Sequence, residues 1–482
     1  MKMMRLALTV VAFSSVPAFV AFTPKHSIIT GTPRPANVAA PPTQLPLRRG
    51  QSRGAFMTTL EAAAQPPSGG TSSTAATINL FKNIVGSGIL ALAAGVAAFS
   101  ASPLALLPSI AILFSVGAAS GYTYSTIARV GAASGASSYR EVWMKVYGEK
   151  STFLTDLTVI FMTLCAGLSY SIIIGESFAS IASLAGAPAA LCSSNAWIVL
   201  LSVFVLLPLS LLRDLSSLAA GSVIGTAGTL YTALFVFLRL FDGTYKAGGK
   251  YFAALAASAQ PAFAAPTAAR PLLNPSIFVL VSMLASAFLA HYNAPKFYNE
   301  LAPPTDGSSK VAKFNKVVAG GFGAAAVIMG AVMAGGFLTF GSASNGLILN
   351  SYATADPLAF LARLGIGMSI IFSYPLNFLG LREGLLSMLG KTEAGKKAPV
   401  HWGVTLALML LMNGTSLFLK DLGLVVALGG AILGSALVYI FPALMAAGDK
   451  SGAVGPLEKK INYGLTGLGV FFAGLGAVMC LK

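Results

Sequence analysis

The stretch Ile78 to Phe99, INLFKNIVGSGILALAAGVAAF, decides how the chain is read. It is long and apolar enough to cross a bilayer, since roughly 20 residues at about 1.5 Å each span about 30 Å of hydrocarbon. Yet its middle is Gly86-Ser87-Gly88, a composition poorly suited to a helix, and one turn earlier stand Asn79, Lys82 and Asn83. Polar side chains and irregular backbone are tolerated at membrane depth only where they line a cavity or are buried in protein. One reading is a discontinuous helix that offers free N–H groups to an anion. The other is close packing of neighbouring helices on glycine. The stretch alone leaves both open.

Composition sets the class. Of 482 residues, 55% are hydrophobic and 10% charged, against about 25% charged in soluble proteins; mean hydropathy is +0.77. This is an all-α polytopic membrane protein. The net charge of +16 does not signal nucleic acid, because of where it lies. Residues before Glu61 hold seven Lys and Arg and no acid, and the remaining basic residues concentrate in short loops between apolar spans, as positive-inside bias places them. Cys165, Cys192 and Cys480 have no metal-ligand spacing and form no disulfide framework, so neither a metal nor another cofactor is expected.

Eleven apolar spans follow one another: 78–99, 103–127, 153–184, 196–212, 216–241, 275–295, 314–340, 357–381, 400–419, 422–445 and 461–481. Glycine pairs such as Gly221/Gly225 and Gly430/Gly434 suit close helix packing in lipid. Basic residues cluster in alternate loops: Arg129 to Lys150, Lys296 to Lys316, Arg382 to Lys397 and Lys450 to Lys460. That alternation puts the N-terminus inside and the C-terminus outside. Arg363 and Arg382 bracket the eighth span and are expected to anchor its ends, while the sequon Asn413-Gly414-Thr415 falls inside the ninth and is expected to be unused.

The N-terminal 75 residues read as a processing segment. Lys2 and Arg5 precede an apolar run from Leu6 to Val16, and Thr23 to Leu60 is rich in Ser, Thr, Pro and Ala, basic and acid-free. With Phe19 at the junction, this resembles the bipartite presequence of algae with secondary plastids; a disordered tail with one interfacial helix is the alternative. Residues 76–482 form the membrane domain.

A second interruption stands five spans after the first. Val279 to Leu301, VLVSMLASAFLAHYNAPKFYNEL, places His291, Asn293 and Pro295 where an apolar run should continue. Paired interruptions in corresponding positions of two halves point to a transport site at a repeat interface. Spans one to five and six to ten are then two inverted repeats, with span eleven an addition.

The residues also carry a family resemblance. NLFKNIVGSGILAL (79–92), SYREVWMKVYG (138–148), YSIIIGES (170–177), LPLSLLRDLSSL (207–218), FLAHYNAPKFYNEL (288–301), GGFLTFG (335–341), FSYPLNFLGLREGL (372–385) and GAILGSALVYIFPAL (430–444) occur in family order. The chain resembles the amino acid/auxin permease (AAAP) family, in particular its vacuolar and neutral amino acid transporters. The resemblance implies a LeuT-like fold of eleven transmembrane helices, a 5+5 inverted repeat with broken helices 1 and 6 plus one extra C-terminal helix. It implies amino acids as substrate, moved by alternating access and coupled to protons or sodium. A membrane enzyme is not expected, since no span shows a His-rich metal cluster, a Ser/His pair or paired aspartates, and the chain has only three His. Gly86, Ser87, Gly88 and Ile89, with His291 and Asn293, are the expected substrate-binding residues. The family commonly has Pro where this chain has Ala93, and its sodium-coupled members have Asn, a sodium ligand, where this chain has Lys82. An ammonium there occupies the cation site and supplies a titratable group, which favours protons. Ser373 is the expected hydroxyl across that site. His291 is the alternative proton carrier and Glu176 a further pathway candidate; a neutral structural histidine and an interfacial carboxylate are the competing readings. An amino acid sensor with the same fold is the competing function. The membrane is expected to be a plastid envelope, otherwise a vacuolar, endomembrane or plasma membrane.

The leader and the basic loops generate a prediction. The mature chain begins well after Phe19, with its new N-terminus on the side of Lys145 and Lys396. N-terminal sequencing, combined with protease access to the loop at Lys391 to Pro399, checks it. An intact Met1, or a leader lying opposite that loop, refutes it.

Overall fold

The computed structural model describes residues 70–212, 219–267, 271–305 and 307–482. The expected presequence up to residue 69, the start of the fifth span at 216–218, and Arg270 lie outside the described residues. Every named element is helical, and the described residues add only two isolated bridges, Thr71 with Leu301 and Ala262 with Gly341.

Helix α1 (Ser73–Ile84) opens at Ser72, whose hydroxyl accepts from the Ala75 N–H. It ends where Val85 and Gly86 turn extended, Gly86 at φ −122° and ψ −158°. The chain resumes as a 3-10 turn, Ser87–Ala91, and α2 (Leu92–Ala97); this second half is bent by 48° from α1. Then come α3 (Leu106–Ser134), the short α4 (Tyr139–Tyr147) and α5 (Thr152–Leu184). Helices α6 (Ser194–Leu201) and α7 (Leu207–Leu211) join through a π turn, and α8 (Ala219–Phe241) follows. Helix α9 (Ile277–Ala287) stops short of a 3-10 turn at His291–Asn293, which leads into α10 (Ala294–Glu300). The longer helices that remain are α11 (Lys310–Phe340), α12 (Pro357–Met388), α13 (Ala398–Ser416), α14 (Leu422–Gly429), α15 (Phe441–Ala447), joined to α14 by π turns at 430–440, and α16 (Pro456–Cys480).

Among the described residues nine helices are long and apolar enough to span a membrane, or ten if the bent pair α1 and α2 counts as one span. The eleven spans expected from the sequence exceed this by one. The difference is α13, whose 19 residues are diluted by Pro399, His401, Asn413 and three hydroxyl or glycine positions at its end.

Glycine decides how closely the helices pack. A Cβ on Gly430 would lie 1.8 Å from the Ser282 carbonyl oxygen of α9, and one on Gly434 would lie 3.2 Å from Ala285 C. Gly228 of α8 and Gly365 of α12 meet backbone to backbone, a Cβ on either falling 2.9 Å or less from the other's main chain. Such contacts replace the hydrophobic drive that is missing between helices in lipid.

Buried arginines fix the bundle near both ends of α12. Arg239, at the end of α8, holds Asp356 with two bonds of 2.9 and 2.5 Å, and the Tyr245 hydroxyl donates to the same carboxylate at 2.8 Å. Asp356 also caps α12 by accepting from the Leu358 N–H. Arg363 is 2% exposed and donates to the carbonyls of Leu349 at 2.8 Å and Tyr352 at 2.7 Å. Arg382 is equally buried and donates to Ser210 O at 2.8 Å and Thr405 Oγ1 at 2.9 Å. Both therefore turn inward to neighbouring elements and do not reach for the bilayer surface.

Gly430→Val is expected to destabilise the fold by about 3 kcal/mol or more, since no relaxation short of moving α9 accommodates the side chain. Gly467→Ala, where nothing lies within 4 Å, is the neutral control. Thermal melting of both variants in detergent, against the parent protein, reads the difference.

Candidate functional site

The two interruptions lie against each other. A Cβ on Gly88 would meet the Ala287 Cα at 3.3 Å, so the restart of the first broken helix abuts the end of α9. The Asn293 amide donates to Asn83 Oδ1 at 3.2 Å, tying the second interruption to the last turn of α1. Between them is a cavity of about 130 Å³. Its wall takes Asn83, Ile84 and Gly86 to Gly88 from the first break and Ser286, Ala287, Leu289 and Tyr292 from the second; one face of α5 between Met162 and Tyr170, Asn377 of α12, and Val425 and Val426 of α14 complete it.

The chemistry of this wall follows from its backbone. The first amides after a break have no carbonyl one turn behind them. Among the described residues, the N–H groups of Gly86, Ser87 and Gly88 make no backbone hydrogen bond. Around them are the hydroxyls of Ser87, Thr163, Ser169 and Ser286 and the phenols of Tyr170 and Tyr292. The Thr163 and Ser169 hydroxyls donate to Val159 O and Cys165 O, which leaves lone pairs for a ligand donor. Ile84, Met162, Leu289, Val425 and Val426 supply an apolar side, and no described lining residue is charged. The arrangement offers donors for an anion, acceptors for a cationic donor and an apolar face.

The residues singled out from sequence are distributed unevenly around this cavity. Gly86, Ser87 and Gly88 line it. Ile89 is fully buried and belongs to the core. Asn293 stands one bond behind the wall, through Asn83. His291 is also fully buried, but its ring faces α3, with Nε2 at 3.0 Å from Ser120 O and 3.0 Å from Thr123 Oγ1. Lys82 is half-buried on α1, next to Asn83, and Ser373 lies on α12 one turn before Asn377; neither is part of the wall. Glu176 is on α5 beyond the cavity, accepting from the Asn350 amide at 3.4 Å. Near it, Lys420 donates to Asn195; burial lowers the proton affinity of Lys420, and the Glu176 charge works against that shift.

Sequence reasoning passed over Tyr170, Tyr292, Thr163 and Asn377. Tyr170 and Asn377 stand within quoted motifs and Tyr292 lies between two residues that were singled out, so the signal was positional, but side-chain direction was not readable. Behind the wall a second polar group packs Ser171 at 2.6 Å and the Tyr374 hydroxyl at 3.2 Å from Asn413 Oδ1. Asn413 is only 8% exposed, so the acceptor asparagine of the sequon is turned into helix packing.

Comparison with known proteins adds the family. Residues 69–479 match the family described as transmembrane amino acid transporter protein. A Danio rerio protein provisionally named sodium-coupled neutral amino acid transporter 11 is 26% identical over 378 residues, 78% of each chain. The Mus musculus sodium-coupled neutral amino acid transporter 7 is 26% identical over 443 residues, 86% of this chain and 88% of its own. Among solved structures, MhsT in complex with L-phenylalanine aligns with a TM-score of 0.52 at 12% identity, covering 84% of this chain and 98% of that one. That likeness carries the LeuT-like fold. The match over nearly the whole membrane domain carries the rest: the chain belongs to the transmembrane amino acid transporter protein family.

Proposed function

We propose that this protein is a secondary active transporter that moves neutral amino acids by alternating access through the cavity between the two breaks. One observation carries the reading: three bare backbone amides at Gly86 to Gly88 open into a cavity whose described wall holds no charged side chain. Such amides suit the carboxylate of a zwitterion, the hydroxyls and the Asn83 carbonyl suit its ammonium, and the uncharged wall disfavours a charged side chain. The relatives' names, neutral amino acid transporters, point the same way. In this reading the chain has eleven spans, α13 included, in two inverted repeats broken at spans one and six, with α16 as the extra helix. Residues 1–75 are a presequence directing it to a plastid envelope.

Coupling is to protons, without sodium, although those relatives are named sodium-coupled. The support is Lys82, adjoining the cavity residue Asn83. A positive charge about 4 Å from a cation site opposes a second cation by about 4 kcal/mol at an effective dielectric near 20. That lowers sodium affinity by roughly three orders of magnitude. Ser373 and Glu176 are assigned to the ion path, Ser373 across from Lys82 and Glu176 beyond the cavity.

Two experiments test this. Gly88→Val is expected to abolish uptake of neutral amino acids into proteoliposomes while the protein still inserts and purifies, because the new side chain crowds Ala287 and the amides beside it. Normal uptake by this variant places the site elsewhere. For coupling, uptake in sodium and in choline buffers at matched pH is expected to be equal for the wild type and to rise with an inward proton gradient. Lys82→Asn is expected to lose the gradient response. Wild-type uptake that requires sodium overturns the coupling assignment.

A further inference from the structure

We propose that His291 is a positioning residue, a fixed neutral hydrogen-bond donor that pins the second break to α3, and that it carries no transported proton. The role rests on the transport reading above, but the geometry that assigns it is independent of that reading.

The ring nitrogen Nε2 lies 3.0 Å from the Ser120 carbonyl oxygen. A carbonyl oxygen only accepts, so Nε2 carries the hydrogen. The second neighbour, Thr123 Oγ1 at 3.0 Å, has its own proton directed at backbone, with Ala119 O at 3.1 Å and Ser120 O at 3.0 Å. It therefore turns a lone pair to the imidazole, and both neighbours accept from the same N–H. The tautomer is fixed by this pair of acceptors, and Nδ1 is left as the bare nitrogen, buried and without a partner among the described residues.

Among the described residues, the surroundings of the ring hold no acceptor for a second proton. Tyr124 of α3 meets it edge-on at 5.7 Å, and Phe322 of α11 meets it at 6.3 Å. The buried titratable groups on the elements packed around the turn are phenols: Tyr124, Tyr139 of α4, whose hydroxyl donates to Leu437 O, and Tyr439, whose hydroxyl lies 3.4 Å from Ser120 Oγ. The charged groups of α3 and α4 are engaged elsewhere: Arg129 with Glu458, Arg140 with Asp156, and Glu141 with Ser137, while Lys145 is exposed. On the histidine's own segment, Lys296 and Glu300 are exposed and face each other at 3.9 Å. A proton on Nδ1 would be a buried charge without hydrogen bond or counter-ion, which is among the costliest arrangements in a protein interior. Proton relay needs a partner on each side of the ring, and one side here is bare.

What the pin positions is the pair of residues that follow. Tyr292 lines the cavity, and Asn293 donates to Asn83, itself part of the wall. Residues 288–290 carry no regular helix, so the imidazole anchor holds the turn where helical hydrogen bonds do not. Release of that anchor moves Tyr292 and Asn293 together.

The test uses the full-length protein in proteoliposomes, with L-alanine as probe, measured between about pH 5 and 8 where a free histidine titrates. The glutamine amide nitrogen reaches about as far as the imidazole Nε2, and the asparagine amide nitrogen reaches only to Nδ1. His291→Gln is expected to keep KM within about threefold of wild type, and His291→Asn to raise KM by about tenfold or more, the size of one lost buried hydrogen bond. The pH midpoint of uptake stays unmoved in both. Melting temperature is read in parallel, with the glutamine variant near wild type and the asparagine variant lower. A glutamine variant that loses the pH dependence, or an asparagine variant that equals it in both KM and melting, overturns the proposal. If the wild type moves no amino acid, the transport reading fails by itself, and the melting order alone decides whether the pin exists.

Discussion

A backbone N–H or C=O left bare in hydrocarbon costs several kcal/mol, and the architecture of this protein is arranged around two places where the helix nevertheless stops. The two breaks meet where Gly88 approaches the end of α9 at Ala287. Asn293 reaches across to Asn83, and hydroxyls from α5 close the remaining side. The cavity is thus the space that two unwound segments must keep between them. Its polarity comes chiefly from main chain and hydroxyls, which place dipoles where formal charges would be expensive.

The rest of the molecule holds this pair in register by two different means. Through the middle of the bundle, glycines bring backbones into contact, as at Gly430 against Ser282. At the end where α8 finishes and α12 begins, the fixing is ionic: Arg239, Asp356 and Tyr245 form one buried group, and Arg363 is spent on loop carbonyls. Breaking a buried pair of this kind by removing one partner costs about 3–5 kcal/mol. Arg363 thereby ties the loop carrying Leu349 and Tyr352 to α12.

Much of this was legible in the sequence, and the exceptions have physical causes. The first break was readable because three poor helix formers interrupt an apolar run. The second was readable from His291, Asn293 and Pro295, but α9 ends at Ala287, several residues earlier. Residues 288–290 are Phe, Leu and Ala, whose composition favours helix; the close approach of Gly88 is a tertiary fact that composition does not encode. Direction was lost for the same reason. In the 3-10 turns that follow each break, Ile89 turns into the core and Tyr292 into the cavity, and a helical wheel assigns neither. The ninth span was read from its apolar middle, while its polar ends bring it below the length and hydropathy of its neighbours. Arg363 and Arg382 were read as anchors, and they are, but their partners are carbonyls and a threonine hydroxyl already in the protein.

The contact between Gly228 and Gly365 constrains how the molecule deforms. With main chain against main chain there are no interleaved side chains to ratchet past one another, and a step along the axis would carry a neighbouring residue's Cβ into the groove. Sliding between α8 and α12 is thereby blocked, and the Arg239–Asp356 pair, whose partners sit at the ends of these same two elements, blocks splaying. The two helices behave as a single beam. A rearrangement of the bundle therefore hinges elsewhere than between α8 and α12.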